Sequence, residues 1–167
     1  MKSAVRNLKI TLIMVLALLV SPYVCAEPVT IETVRQAANN FLWWEQAAPP
    51  KVVLKSGELQ ENKAAADLLL GEIQPILDDN GEVAAYVQEL VPEGFIIIAA
   101  ADTITPILGF SFSGKWDSDK AKQNPLVDLI VWDVQCRERL LLSPDDPESQ
   151  KIAAGNMNKW DHCCPNV

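Results

Sequence analysis

Seven consecutive apolar residues, Phe95 to Ala101, stand between Gly94 and Asp102. A run of that length, closed at both ends by turn-forming residues, reads as a strand buried on both faces. Pro106 follows shortly after and lacks an amide donor, so the next strand, Thr105 to Phe112, lies at the edge of the sheet or begins at that residue. Asp102 marks the corner between the two.

The rest of the chain supplies two more strands before this pair and a helix at each side. Thr30 caps a first helix in which Ile31, Val34, Ala38, Phe41, Leu42 and Glu45 recur at helical spacing, and Pro49-Pro50 stops it. Trp43 and Trp44 near its end are expected in the core. Lys51 to Leu59 reads as extended around Ser56-Gly57, and Ala64 to Gly71 as weakly helical. Ile73 to Leu77 and Glu82 to Leu90 flank Asp78-Asp79-Asn80-Gly81, where Asn80-Gly81 predicts a tight two-residue hairpin. Short connections between successive strands imply an antiparallel meander. Asn124 and Pro125 then open a helix whose apolar face carries Leu126, Leu129, Ile130 and Val134. The expected class is α+β, with an antiparallel sheet of about four strands packed between an N-terminal and a C-terminal helix.

Both ends differ from this middle. Lys2, Arg6 and Lys9 precede the apolar stretch Ile10 to Val20, and Val24-Cys25-Ala26 offers a small-residue cleavage site before Glu27. Residues 1–26 therefore read as an export signal, too short in its apolar part to cross a bilayer, which takes ~20 helical residues. A lipid anchor at Cys25 fits less well, because Val24 is larger than the residue such processing prefers. At the other end Ser143-Pro144-Asp145-Asp146-Pro147-Glu148 resembles a linker, and residues 143–167 are expected to form a flexible tail. The domain is then 27–142, secreted or periplasmic.

Loss of the leader leaves eleven basic against twenty-two acidic residues, a net charge of −11. That excludes nucleic acid and anionic membrane as natural partners, since both are bound through clustered Lys and Arg. Three cysteines follow the leader: Cys136, Cys163 and Cys164. Export allows Cys136 to pair with one of the other two, or to remain a small buried apolar residue.

Residues able to do chemistry are few. A cysteine nucleophile needs an imidazole held within hydrogen-bond reach, and His162, the single histidine, immediately precedes Cys163 on the expected tail. Asp161, His162, Cys163 and Cys164 lack the spacing of a zinc site. No glycine loop is built to cradle phosphate. Binding is left as the function, with no catalytic residue, no metal and no cofactor expected.

The segment Gly94, Phe95, Asp102, Pro106, Leu108, Gly109 and Ser111 resembles the G-G-F-V-I-V-S-A-D-x-x-x-P-x-L-G-Y-S core of streptopain-type prosegments and of the Spi protease inhibitors related to them. Glu93 replaces the first glycine and Phe110 the tyrosine. Ser113-Gly114-Lys115-Trp116-Asp117 is similar to the family's S-G-x-F-D turn, and the likeness extends over roughly Val29 to Leu142. The resemblance implies a secreted, non-enzymatic inhibitor that blocks the cleft of a streptopain-like papain-fold cysteine protease. It equally allows a detached prosegment of such a protease; an exported interaction module with no protease target is the reading from another class. It further implies a protease-contact loop of Lys115, Trp116 and Asp117 leading to Asn124. Two of these residues have local alternatives: Asn124 as a plain helix cap, and Trp116 folded back on the sheet.

Overall fold

The structure, a computed structural model, describes residues 26–47, 67–117, 124–143 and 146–163, with the backbone of 51–53 and 59–61. Helix α1 (Ile31–Ala47) is followed by the short strands β1 (Lys51–Val53) and β2 (Leu59–Glu61), which pair antiparallel as a hairpin of their own. The main sheet has four antiparallel strands in the order β3 (Leu69–Leu77), β4 (Val83–Val91), β5 (Phe95–Ala99) and β6 (Ile107–Ser111). Helices α2 (Pro125–Leu141) and α3 (Pro147–Cys163) complete the chain. The fold is α+β, and no helix among the described residues is long and apolar enough to cross a membrane.

Strand β5 shows why the apolar run demanded cover on both sides. Successive side chains point to opposite faces. On one face Ile96 and Ile98 join Ala84 and Leu90 of β4, and against them pack Val34, Ala37, Ala38 and Leu42 of α1 and Ala153 and Trp160 of α3. On the other, Ile97 joins Ala85 and Val87 of β4 and Ile76 of β3, covered by Val127, Ile130 and Val131 of α2. Pro106 precedes β6, which is the edge strand, as a missing amide requires. Gln88 of β4 is fully buried in the first layer, and its Nε2 donates to the carbonyls of Gly71 (2.9 Å) and Glu72 (3.3 Å) where β3 slips register against β4. The amide satisfies carbonyls that the ladder leaves without a partner there.

Thr30 caps α1 as expected, its hydroxyl accepting from the Thr33 amide at 3.2 Å. Several other expectations are corrected. Trp43 and Trp44 are outside the core, 62% and 65% exposed, because Val34, Ala37, Ala38 and Leu42 already fill the buried face of α1. They meet only edge to face, with centroids 6.0 Å apart. Leu69 to Gly71 is strand, not helix; residues 64–66 lie outside the described ones.

The β3–β4 turn is also longer than the two residues that Asn80-Gly81 suggests. Leu77 pairs with Val83, and the Asp78 carboxylate organises what lies between by accepting from the amides of Asn80 (2.8 Å) and Glu82 (2.9 Å). An Asx turn has displaced the tight turn. The Glu82 amide is the main influence holding the Asp78 carboxyl below the usual carboxylate range. Because the folded-state value is depressed, this contribution to stability is complete above the ordinary value and is lost as pH falls through the depressed one. Asp78→Ala is expected to speed amide exchange at Asn80 and Glu82 while leaving β5 protected, measured by hydrogen exchange.

The largest correction concerns residues 143–167. Residues 147–163 are helix, and its inward face of Ser149, Ala153, Asn156 and Trp160 is buried. Asp146 starts it by accepting from the Glu148 amide (3.1 Å) and the Ser149 hydroxyl (2.6 Å), with Pro147 in the first turn, where no amide is needed. The far end is tied to the β5–β6 corner: Asn156 Nδ2 donates to Thr103 O at 2.8 Å and Trp160 Nε1 to Ile104 O at 2.9 Å. A flexible tail is therefore excluded for this segment. Cys136 and Cys163 carry free thiols and are not joined to each other, while Cys164 lies outside the described residues. His162 lies in the last turn of α3, its Nδ1 2.6 Å from the Asn158 carbonyl oxygen.

Candidate functional site

The residues singled out from the sequence gather at one end of the sheet, around the turn that opens β5. Gly94 has φ 107°, and a Cβ there would come within 2.6 Å of the Ser111 carbonyl oxygen, so only glycine allows the turn to lie against the end of β6. Its amide donates to Gly114 O at 2.6 Å, and Gly114 N donates back to Glu93 Oε2 at 3.1 Å. Residues 93–94 and 114 thus hold each other. The Glu93 side chain, which stands where the resembling motif has glycine, supplies half of that clasp; nothing in the sequence pattern pointed to it.

The clasp leads into Lys115, Trp116 and Asp117, which belong to no helix or strand, with Lys115 and Asp117 exposed. Trp116 turns inward. Its ring meets Phe95 edge to face at 5.4 Å and packs into the layer under α2. The local alternative for Trp116, folding back on the sheet, is the observed one. Residues 118–123 lie outside the described ones.

Asn124 is extended (φ −92°, ψ 114°) and caps α2, its Oδ1 accepting from the Leu126 amide at 3.0 Å. Pro125 follows at the first helical position. The cap commits one end of the amide side chain, leaving Nδ2 on a half-exposed residue. Val127, three residues further, packs in the same layer as Trp116, so the two flanks of the loop are brought together by the sheet.

Between them lies a groove of about 680 Å³, lined by Trp116, Val127, Asp128, Val131 and Trp132 on one side and by Leu77 to Asp79 of the β3–β4 turn on the other. Gln135 Nε2 donates to Asp78 Oδ2 at 3.1 Å and ties α2 to that turn. Among the described residues the lining carries the carboxylates of Asp78, Asp79 and Asp128 and no basic residue. Among the described residues the lining also carries no serine, cysteine or histidine. Along the outer side of α2, Leu126, Leu129 and Trp132 are 42%, 57% and 62% exposed and extend the apolar surface away from the groove. The described residues give this end of the molecule an acidic groove beside an exposed apolar strip. His162 and Cys163 belong to α3, which packs on the opposite layer of the sheet.

Phe110, which replaces the motif's tyrosine, is half exposed and lies 4.9 Å, ring to ring, from both Phe41 and Phe112. An aromatic ring at that place closes the edge of the first layer, which a phenylalanine does without a hydroxyl.

No curated protein and no solved structure matches this chain. The family model of the Spi protease inhibitors matches residues 26–131, which run from the N-terminal segment through the sheet and the clasp into α2. This chain belongs to the Spi protease inhibitor family.

Proposed function

We propose that this protein is an exported inhibitor that occupies the active-site cleft of a streptopain-like papain-fold cysteine protease and hydrolyses nothing itself. The observation that carries the reading is the family match over residues 26–131. The proposed contact is the segment Lys115, Trp116, Asp117 with Asn124 at the start of α2. An asparagine amide both donates and accepts, so it engages a catalytic cysteine and histidine without offering them a scissile bond. With Oδ1 used as the cap, Nδ2 is the group available to the enzyme. Trp116 supports the contact from behind by fixing Lys115 and Asp117 outward. The apolar strip of Leu126, Leu129 and Trp132 next to it is the kind of exposed surface that marks a protein interface. Export through a leader at residues 1–26 puts the inhibitor in the compartment where such a protease works.

Two variants separate the cleft contact from the cap. Asn124→Ser keeps a capping oxygen and is expected to leave stability near that of the parent, whereas Asn124→Ala loses about 1 kcal/mol with the cap. Both are expected to raise the inhibition constant against a streptopain-type enzyme by roughly 10-fold, the weight of about 1.4 kcal/mol of lost contact. A replacement of residues 115–120 is expected to do at least as much. Parent-like inhibition by all of these variants places the contact elsewhere on the molecule.

A further inference from the structure

We infer that Asp102 is the receptor for the α-ammonium group created when a leader is cut off ahead of Glu27, so that processing fastens the N-terminal segment to the sheet. The inference rests on the export reading above and is independent of protease inhibition.

The geometry is already in place. The Glu27 backbone nitrogen donates to Asp102 Oδ1 at 3.0 Å. In return Asp102 N donates to Glu27 O at 3.3 Å, Val29 N donates to Ala100 O at 2.9 Å, and Pro28 pairs antiparallel with Ala101. These bonds lay Glu27 to Val29 along the chain that leaves β5, directly before the Thr30 cap of α1. Whatever fixes Glu27 therefore fixes where α1 begins, and α1 packs with α3 over one layer of the sheet.

Asp102 has backbone donors but no cation in the uncut chain. Partial burial is the main influence pushing its carboxyl above the usual range and the Glu27 carboxylate adds to it, against the backbone N–H groups of Glu27, Thr103 and Asp102 itself. Among the described residues no lysine or arginine forms an ion pair with it. The cut supplies the missing cation. A leader peptidase adds water across the Ala26–Glu27 peptide bond: the C–N bond breaks, the water oxygen stays with the Ala26 carboxylate, which departs with the leader, and both water protons end on the Glu27 nitrogen. A neutral amide with one N–H becomes an ammonium with three, at the same place. A bond to a carboxylate is charge-assisted already, and the cut adds an ionised donor and with it an ion pair.

The test begins with the full chain expressed through an exporting host, followed by mass measurement of the released protein. Glu27 is the expected first residue. The released protein is then compared with a version acetylated at its N-terminus, each with Asp102 intact and with Asp102→Asn. Acetylation is expected to lower the thermal midpoint by about 2–5 °C when Asp102 is present and by nothing measurable in the Asp102→Asn background. Equal losses in both backgrounds, or no loss in either, overturn the inference. A first residue other than Glu27 overturns it and leaves export standing, whereas a chain that keeps its leader overturns both.

Discussion

Trp160→Ala is expected to lower the unfolding free energy by about 3–5 kcal/mol, a large share of the 5–15 available to a domain of this size. The indole is only 5% exposed and lies in the same layer as Val34, Ile96 and Ile98. Removing it opens a cavity between α3, α1 and the sheet, and it also leaves the Ile104 carbonyl, which accepts from Nε1 at 2.9 Å, without its partner. Two costs therefore fall on one substitution. Urea unfolding measures the sum. A loss below 1 kcal/mol would mean that α3 does not belong to the cooperative unit, and the composition-based boundary at Leu142 would stand after all.

Gly94→Ala is the second large effect, expected at about 3 kcal/mol. At φ 107° a non-glycine residue is strained, and the added methyl would meet the Ser111 carbonyl oxygen at 2.6 Å and the Phe112 Cα at 3.1 Å. Neither neighbour is the end of a flexible side chain, so the turn has to move. Movement breaks the amide bond to Gly114 and with it the placement of Lys115 and Trp116. Gly81→Ala provides the control: it too has positive φ, at 84°, but a methyl there meets nothing within 4 Å. Its cost is expected to stay near 1 kcal/mol, the strain alone. Similar losses at both glycines would remove the close approach as the explanation for Gly94.

Strand β5, the edge position of β6 and the start of α2 were legible because each is written in residues with narrow backbone meaning. A doubly buried strand needs an unbroken apolar run, an edge tolerates proline, and Asn-Pro opens a helix. Helix α3 escaped for the opposite reason. Its buried face is Ser149, Ala153, Asn156 and Trp160, small or polar apart from the last, so the helical spacing was present without the hydrophobic signal that reveals it. The Asp146-Pro147-Glu148 start was readable as a cap, yet the same residues also spell a linker. The Trp43-Trp44 pair misled because Val34, Ala37, Ala38 and Leu42 already fill the buried face of α1. Asp78 turned an Asn-Gly hairpin into a longer loop by offering its carboxylate to two amides. At the candidate site the two flanks were legible, Trp116 and Asn124. Their convergence was not, since it depends on the Glu93–Gly114 clasp and on Phe95 presenting a ring for Trp116 to meet.

The role proposed for this fold is to close a cysteine-protease cleft. Titrating a purified streptopain-type protease with the chain starting at Glu27, and following hydrolysis of a small peptide substrate, tests it directly. The expected result is reversible loss of activity that excess substrate relieves, with the inhibitor recovered intact. Undiminished hydrolysis at saturating inhibitor, or steady cleavage of this chain by the protease, would contradict it.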